Sequence, residues 1–149
     1  RYDSTYSVGV QADGFIVAAG TVNTPSDIMV VRLDSDGEFD STFGTDGTVT
    51  ADLHSGSGYP ALNISIQNDG KLVIAGSVDP GTGYDFAVYR LAVDGSLDTT
   101  FSEDGLVVAS LNSGGDGAER SVLQDDGKIV VVGFTENGSN KDVAIMRFK

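Results

Sequence analysis

Polarity along the chain alternates between short apolar runs and turns rich in Asp and Gly. In the middle of the sequence the runs are "TVTADL" (residues 48–53), "LNISIQ" (62–67), "KLVIAGSV" (71–78) and "FAVYRLAV" (86–93). Val, Ile, Tyr and Thr fill them, and such side chains suit a pleated surface, so the four runs are predicted to be β-strands. Asp69-Gly70 lies between the second and third and reads as a tight turn. No stretch repeats its apolar positions with helical spacing, and Gly and Asp recur too often for a long helix.

The faces of these strands decide the architecture. In "DFAVYRL" one face carries Phe86 and Val88 and the other carries Ala87, Tyr89 and Leu91. An antiparallel sheet with one wet side alternates polar and apolar residues. A strand that is apolar on both sides must be covered on both, and the connections here are too short and too polar to be covering helices. Small antiparallel sheets stacked face to face around an axis satisfy this, as in a β-propeller. The fold class expected is therefore all-β, with propeller-type blades of four antiparallel strands. A β-sandwich is the structural alternative.

The same phrases return at a fixed interval. Gly14, Gly70 and Gly127 stand 56 and 57 residues apart, and Gly20, Gly76 and Gly133 keep that spacing. Gln11, Gln67 and Gln124 match, as do Asp27, Asp85 and Asp142, and each of these acids opens a run that closes on Arg32, Arg90 or Arg147. "LDSDGEFDSTFGTDG" from Leu33 is answered by "LAVDGSLDTTFSEDG" from Leu91. A period near 57 residues belongs to repeat architectures. It divides the chain into a partial unit 1–47, a unit 48–105 and a partial unit 106–149, about two and three-quarter repeats. Apolar ends of such a stack are expected to be met by self-association or by neighbouring repeats of a larger chain. Glycine at 20, 76 and 133 is expected to permit close backbone approach between neighbouring sheets.

The phrases "QNDGKLVIAG", "YDFAVYRLAVDGSLDTTF" and "SEDGLVV" resemble the delta-60 repeat, a β-propeller-like repeat of large bacterial surface and secreted proteins. The first copy departs most, with Phe15 where Lys is usual and Ile28 where Phe is usual. The resemblance implies a propeller-type fold and an extracellular or cell-surface setting in a bacterium, and implies no particular reaction.

Charge narrows the partners. The formal net charge is −13, from 22 acidic and 9 basic residues. That field repels phosphate backbones and anionic lipid, so neither nucleic acid nor membrane insertion is expected, and no apolar run reaches the length of a span. There is no cysteine, which excludes disulfides, thiolate metal sites and a cysteine nucleophile.

Candidate chemistry is sparse. Asp34, Asp36 and Asp40 share the loop "DSDGEFD", where several oxygens around a tight bend could hold calcium. Thr45 stands where an EF-hand loop has its glutamate, and Ala92 replaces Asp34 in the second copy, so Asx-type turn capping is the competing explanation. Arg32, Arg90 and Arg147 recur once per unit, as scaffold groups do, and are expected to pair with Asp40 or Asp98. His54, near Asp52, Ser55 and Ser57, falls in one Gly-rich stretch, and because triad members meet through tertiary placement no triad is expected there. Tyr59 and Tyr84 are the candidates for stacking on a carbohydrate, and Phe39, Phe43 and Phe101 are expected to plug the core. The function expected is a non-catalytic extracellular structural or adhesive module. The alternatives are a lectin-like carbohydrate- or protein-binding module and a glycoside-active enzyme.

Overall fold

The computed structural model of the chain describes residues 3–22, 27–51, 63–81, 83–112 and 114–149. Among them are eleven strands and no helix. β1 (Ser4–Val10), β2 (Ile16–Val22), β3 (Asp27–Leu33) and β4 (Thr48–Ala51) form one antiparallel sheet in that order. β5 (Asn63–Ile66), β6 (Leu72–Val78), β7 (Asp85–Leu91) and β8 (Leu106–Ala109) form the second. β9 (Asp116–Leu123), β10 (Ile129–Asn137) and β11 (Asn140–Phe148) form a three-stranded third. The expected blades of antiparallel strands are present, with two complete and one of three strands.

Each hairpin between the first two strands of a sheet is built the same way. Gln67 and Lys71 close the ladder through the Gln67 N–H to Lys71 carbonyl bond, and Gly70 donates back to Gln67. Gly70 has φ +83°, a left-handed conformation that costs glycine little. The Gln11–Phe15 and Gln124–Lys128 turns repeat these bonds.

The strand grouping differs from the repeat period. β4 pairs with β3, Val30 opposite Val49, and β8 pairs with β7, Val88 opposite Val107. The strand that opens each period in the sequence thus closes the sheet before it. Three strands of one unit and the first of the next complete a blade, which links neighbouring units by hydrogen bonds across the boundaries at 48 and 106.

Burial follows from the two-sided apolar pattern. β6 is buried along its whole length. Leu72, Ile74, Tyr89 and Leu91 on one face of the middle sheet pack with Val17, Ala19, Ile28 and Val30 of the first sheet. Val73, Ala75, Phe86 and Val88 on the other face pack with Ala118, Ile129, Val131 and Ala144 of the third. Each Val, Leu, Ile or Phe among them contributes roughly 1.5–3 kcal/mol when fully buried. The middle sheet is the sandwiched element, and each outer sheet keeps one face uncovered.

Two expectations need adjusting. Phe43 and Phe101 plug the two cores, but Phe39 is 60% exposed. Phe39 forms a bridge opposite Leu33, on the outer side of the loop, and leaves the plug to the aromatic four residues on. The close approach at glycine lies within a sheet rather than between sheets. A Cβ at Gly20 would run into the Ser4 carbonyl, and one at Gly133 into the Gly117 carbonyl. Both glycines sit beside register shifts of the adjoining strand pair.

Candidate functional site

Arg32 and Arg90 each stand near the end of the third strand of a sheet and clamp the loop that follows it. Arg32, on β3, is buried and gives its Nε to Asp40 Oδ2 at 2.7 Å. Its Nη1 crosses to the next unit and donates to the Val93 carbonyl at 2.6 Å. Its guanidinium lies over the rings of Phe43 and Phe15, 4.6 and 4.8 Å from their centroids. Arg90 repeats the arrangement, with Asp98 Oδ2 at 2.7 Å and the Phe101 ring at 4.6 Å. The expected structural ion pairs are both formed.

The first copy's departure at Phe15 has a structural counterpart. In the second unit Lys71 occupies that place and reaches Asp98 Oδ2 at 2.9 Å. In the first, Phe15 stacks on the arginine instead, so a cation–π contact stands where the second unit has a second cation.

The carboxylates of these clamps are fully engaged. Asp40 Oδ1 accepts from the Thr42 hydroxyl at 2.7 Å and the Thr42 amide at 3.0 Å. Those two bonds, with the Arg32 guanidinium, hold its pKa below the ordinary carboxylate value. Asp98 is held well below the usual range, first by the Thr100 hydroxyl and then by Lys71, the Thr100 amide and Arg90, against the opposing effect of burial. Both remain anions at neutral pH with no oxygen free to move a proton. The arrangement clamps a loop onto a sheet.

The three aspartates considered for calcium are placed differently from one another. Asp34 Oδ1 accepts from the Asp36 and Glu38 amides at 2.9 and 3.0 Å, an Asx-type turn. Asp40 faces Arg32 and Thr42, so its charge is directed away from any shared ion. Among the described residues no three His, Cys, Asp or Glu side chains are grouped where they could hold a metal. Asp94, the counterpart of Asp36, caps its own turn through the Ser96 amide and hydroxyl at 3.0 and 2.7 Å.

Tyr84 is half-buried, and its carbonyl accepts from the Asp116 amide. Tyr59, with His54 and the loop around it, lies outside the described residues. Asp116 was not singled out by sequence. It is wholly buried, its Oδ2 accepts the Leu111 amide at 2.7 Å, and its Oδ1 has no hydrogen-bond partner. The one signal in the sequence is Asp3, which occupies the same place in the first unit.

Clefts lie between adjacent hairpin turns. One of about 540 Å³ is bounded by Gln11, Asp13, Gln67, Asp69 and Val93, and its counterpart of about 360 Å³ by Gln67, Asp69, Gln124 and Asp125. Gln11 Nε2 spans the first by donating to the Gly70 carbonyl at 3.1 Å.

Among the described residues, the outer faces of the end sheets carry strongly exposed apolar side chains. Val8 and Val10 are each 67% exposed on the first sheet, and Val143 and Ile145 are 84% and 66% exposed on the third.

The family model described as "Domain of unknown function (DUF5122) beta-propeller" matches residues 11–43, 67–101 and 124–149. The first two matched segments run from the hairpin glutamine through the arginine strand to the plugging phenylalanine, and the third starts at Gln124. No curated protein matches the chain.

Proposed function

The chain belongs to the DUF5122 β-propeller family, and on that premise we propose that it is a non-catalytic structural or adhesive module that works through assembly and surface contact. The observation that carries the reading is the pair of apolar outer faces. Contiguous exposed apolar surface on a soluble domain marks a contact site. The polar groups that recur in the first two units clamp loops onto sheets, as with Arg32 and Asp40, and scaffold groups repeat where reacting groups are single.

The resemblance to the delta-60 repeat supports an extracellular or cell-surface setting in a bacterium. The acidic surface, at −13, keeps such a module away from anionic lipid and nucleic acid while leaving its apolar ends to make contact. Static light scattering on the purified chain tests the reading. The expected mass is a multiple of 15.4 kDa, or filaments. A monomer that persists at high micromolar concentration overturns it.

A further inference from the structure

β1, β5 and β9 each run into a turn of the form Gln-x-Asp-Gly, at 11–14, 67–70 and 124–127. The period sets these turns side by side, and a cleft opens between each neighbouring pair. The cleft between the first two turns measures about 540 Å³, the size of a site for a small organic molecule rather than for a bare ion.

Its walls are short of hydrogen-bond donors. The Gln11 side chain lies across the cleft, is 5% exposed, and is held by its Nε2 bond to the Gly70 carbonyl at 3.1 Å. Gln11 Oε1 is buried and accepts no hydrogen bond. The same is true of Oε1 of Gln67, which lines the cleft from the second turn. A buried carbonyl oxygen without a donor is costly, and two of them at one cleft mark a place where donors are missing.

Charge gives the missing donors their sign. Asp13 and Asp69 stand on the two rims. Each commits Oδ1 to its own turn, accepting the Phe15 amide at 3.3 Å and the Lys71 amide at 3.2 Å. The neighbouring cations are matched elsewhere. Arg32, which meets the Val93 carbonyl at the edge of the cleft, is paired with Asp40. Lys71 lies 2.9 Å from Asp98 Oδ2 and 3.8 Å from Asp69 Oδ2. The rims thus carry negative charge in excess. Between the acceptors, Val10, Ile66 and Val93 supply an apolar wall.

We propose that this cleft binds a small alkylammonium ligand of the polyamine class. Its methylenes lie along Val10, Ile66 and Val93, and its ammonium groups donate to Gln11 and Gln67 Oε1 and to the Asp13 and Asp69 carboxylates. An ammonium carries three donors and no acceptor, the complement of walls whose free groups are acceptors. It is also slender enough to reach oxygens that sit below the cleft surface, where a sugar ring is not. The second cleft, of about 360 Å³, shares Gln67 and Asp69 and adds Gln124 and Asp125, so a chain with ammonium groups at intervals can continue from one into the other. The site lies between turns of neighbouring sheets and draws nothing from the contact reading of the outer faces.

Calorimetric titration of the chain with spermidine at low salt, with ¹H–¹⁵N spectra recorded alongside, tests the proposal. Expected are saturable binding that weakens with added salt and movement of the Gln11 and Gln67 side-chain amide signals. Asp13→Asn and Asp69→Asn retain an oxygen for the turn cap and remove the charge, and each is expected to weaken binding about tenfold. Asp142→Asn removes the same charge from an exposed position on β11 opposite Thr135, at the other end of the sheet from the turns, and is expected to leave the affinity within about twofold. Circular dichroism melts check that each variant folds. Absence of saturable binding overturns the proposal. So does equal weakening by Asp142→Asn and Asp13→Asn, which marks attraction to the acidic surface at large. Calcium or sorbitol moving the Gln11 and Gln67 signals where spermidine does not also overturns it, and gives the cleft to a different ligand.

Discussion

Arg32 donates from Nη1 to the carbonyl oxygen of Val93 at 2.6 Å, joining residues 61 apart in the sequence. The same guanidinium holds Asp40 of its own unit. One side chain therefore fixes the loop that follows its strand and the turn of the next unit, and the spacing between sheets depends on it.

Removing the acid from that clamp leaves a buried cation with its pair broken. Asp40→Ala is expected to lower the unfolding midpoint clearly, because the buried Arg32 guanidinium loses its anion. Asp98→Ala is expected to cost at least as much, because it leaves both Arg90 and Lys71 without the anion they share. Urea unfolding midpoints give the comparison; equal small losses for the two variants would contradict it.

The two classes of loop phenylalanine separate in the same way. Phe43→Ala and Phe101→Ala each empty a site in a core and are expected to lose about 3–5 kcal/mol. Phe39→Ala removes an exposed ring and is expected to change stability by less than about 1 kcal/mol. Thermal melts of the three variants suffice, and a large loss at Phe39 would place that ring inside.

Acid should unfold the protein by a defined route. The pKa values of Asp40 and Asp98 are lowered in the folded chain, while in the unfolded chain they return to about 3.9. Their stabilisation is complete above the unfolded value and is lost progressively as pH falls below about 4. The stability advantage of the wild type over Asp98→Asn is expected to be constant from neutral pH to about 5 and to shrink below about 4. An advantage that grows on acidification would reverse the sign and refute the assignment.

Calcium at Asp34, Asp36 and Asp40 is settled by chelation. Asp34 Oδ1 is occupied by two amides and Asp40 by Arg32 and Thr42, so EDTA is expected to leave the melting temperature unchanged. A fall of several degrees, restored by added calcium, would establish a metal in that loop.

Strand chemistry, turn positions and the repeat spacing are properties of neighbouring residues and are legible along the chain. "KLVIAG" is apolar on both sides whatever surrounds it, and Asp69-Gly70 turns because glycine accepts a left-handed backbone at φ +83°. Recurrence likewise marked Arg32 and Arg90 as partners of Asp40 and Asp98, eight residues on in each case. The tertiary structure settled that Thr48–Ala51 pairs with β3 and closes the sheet before it, since four residues that alternate polar and apolar fit either neighbour. It also decided that Phe43 enters the core while Phe39 does not, that Arg32 reaches Val93, and that Asp116 is buried. Those outcomes depend on which surfaces meet across sheets, and packing between distant segments is a matter of shape in three dimensions that a local pattern of polarity does not carry.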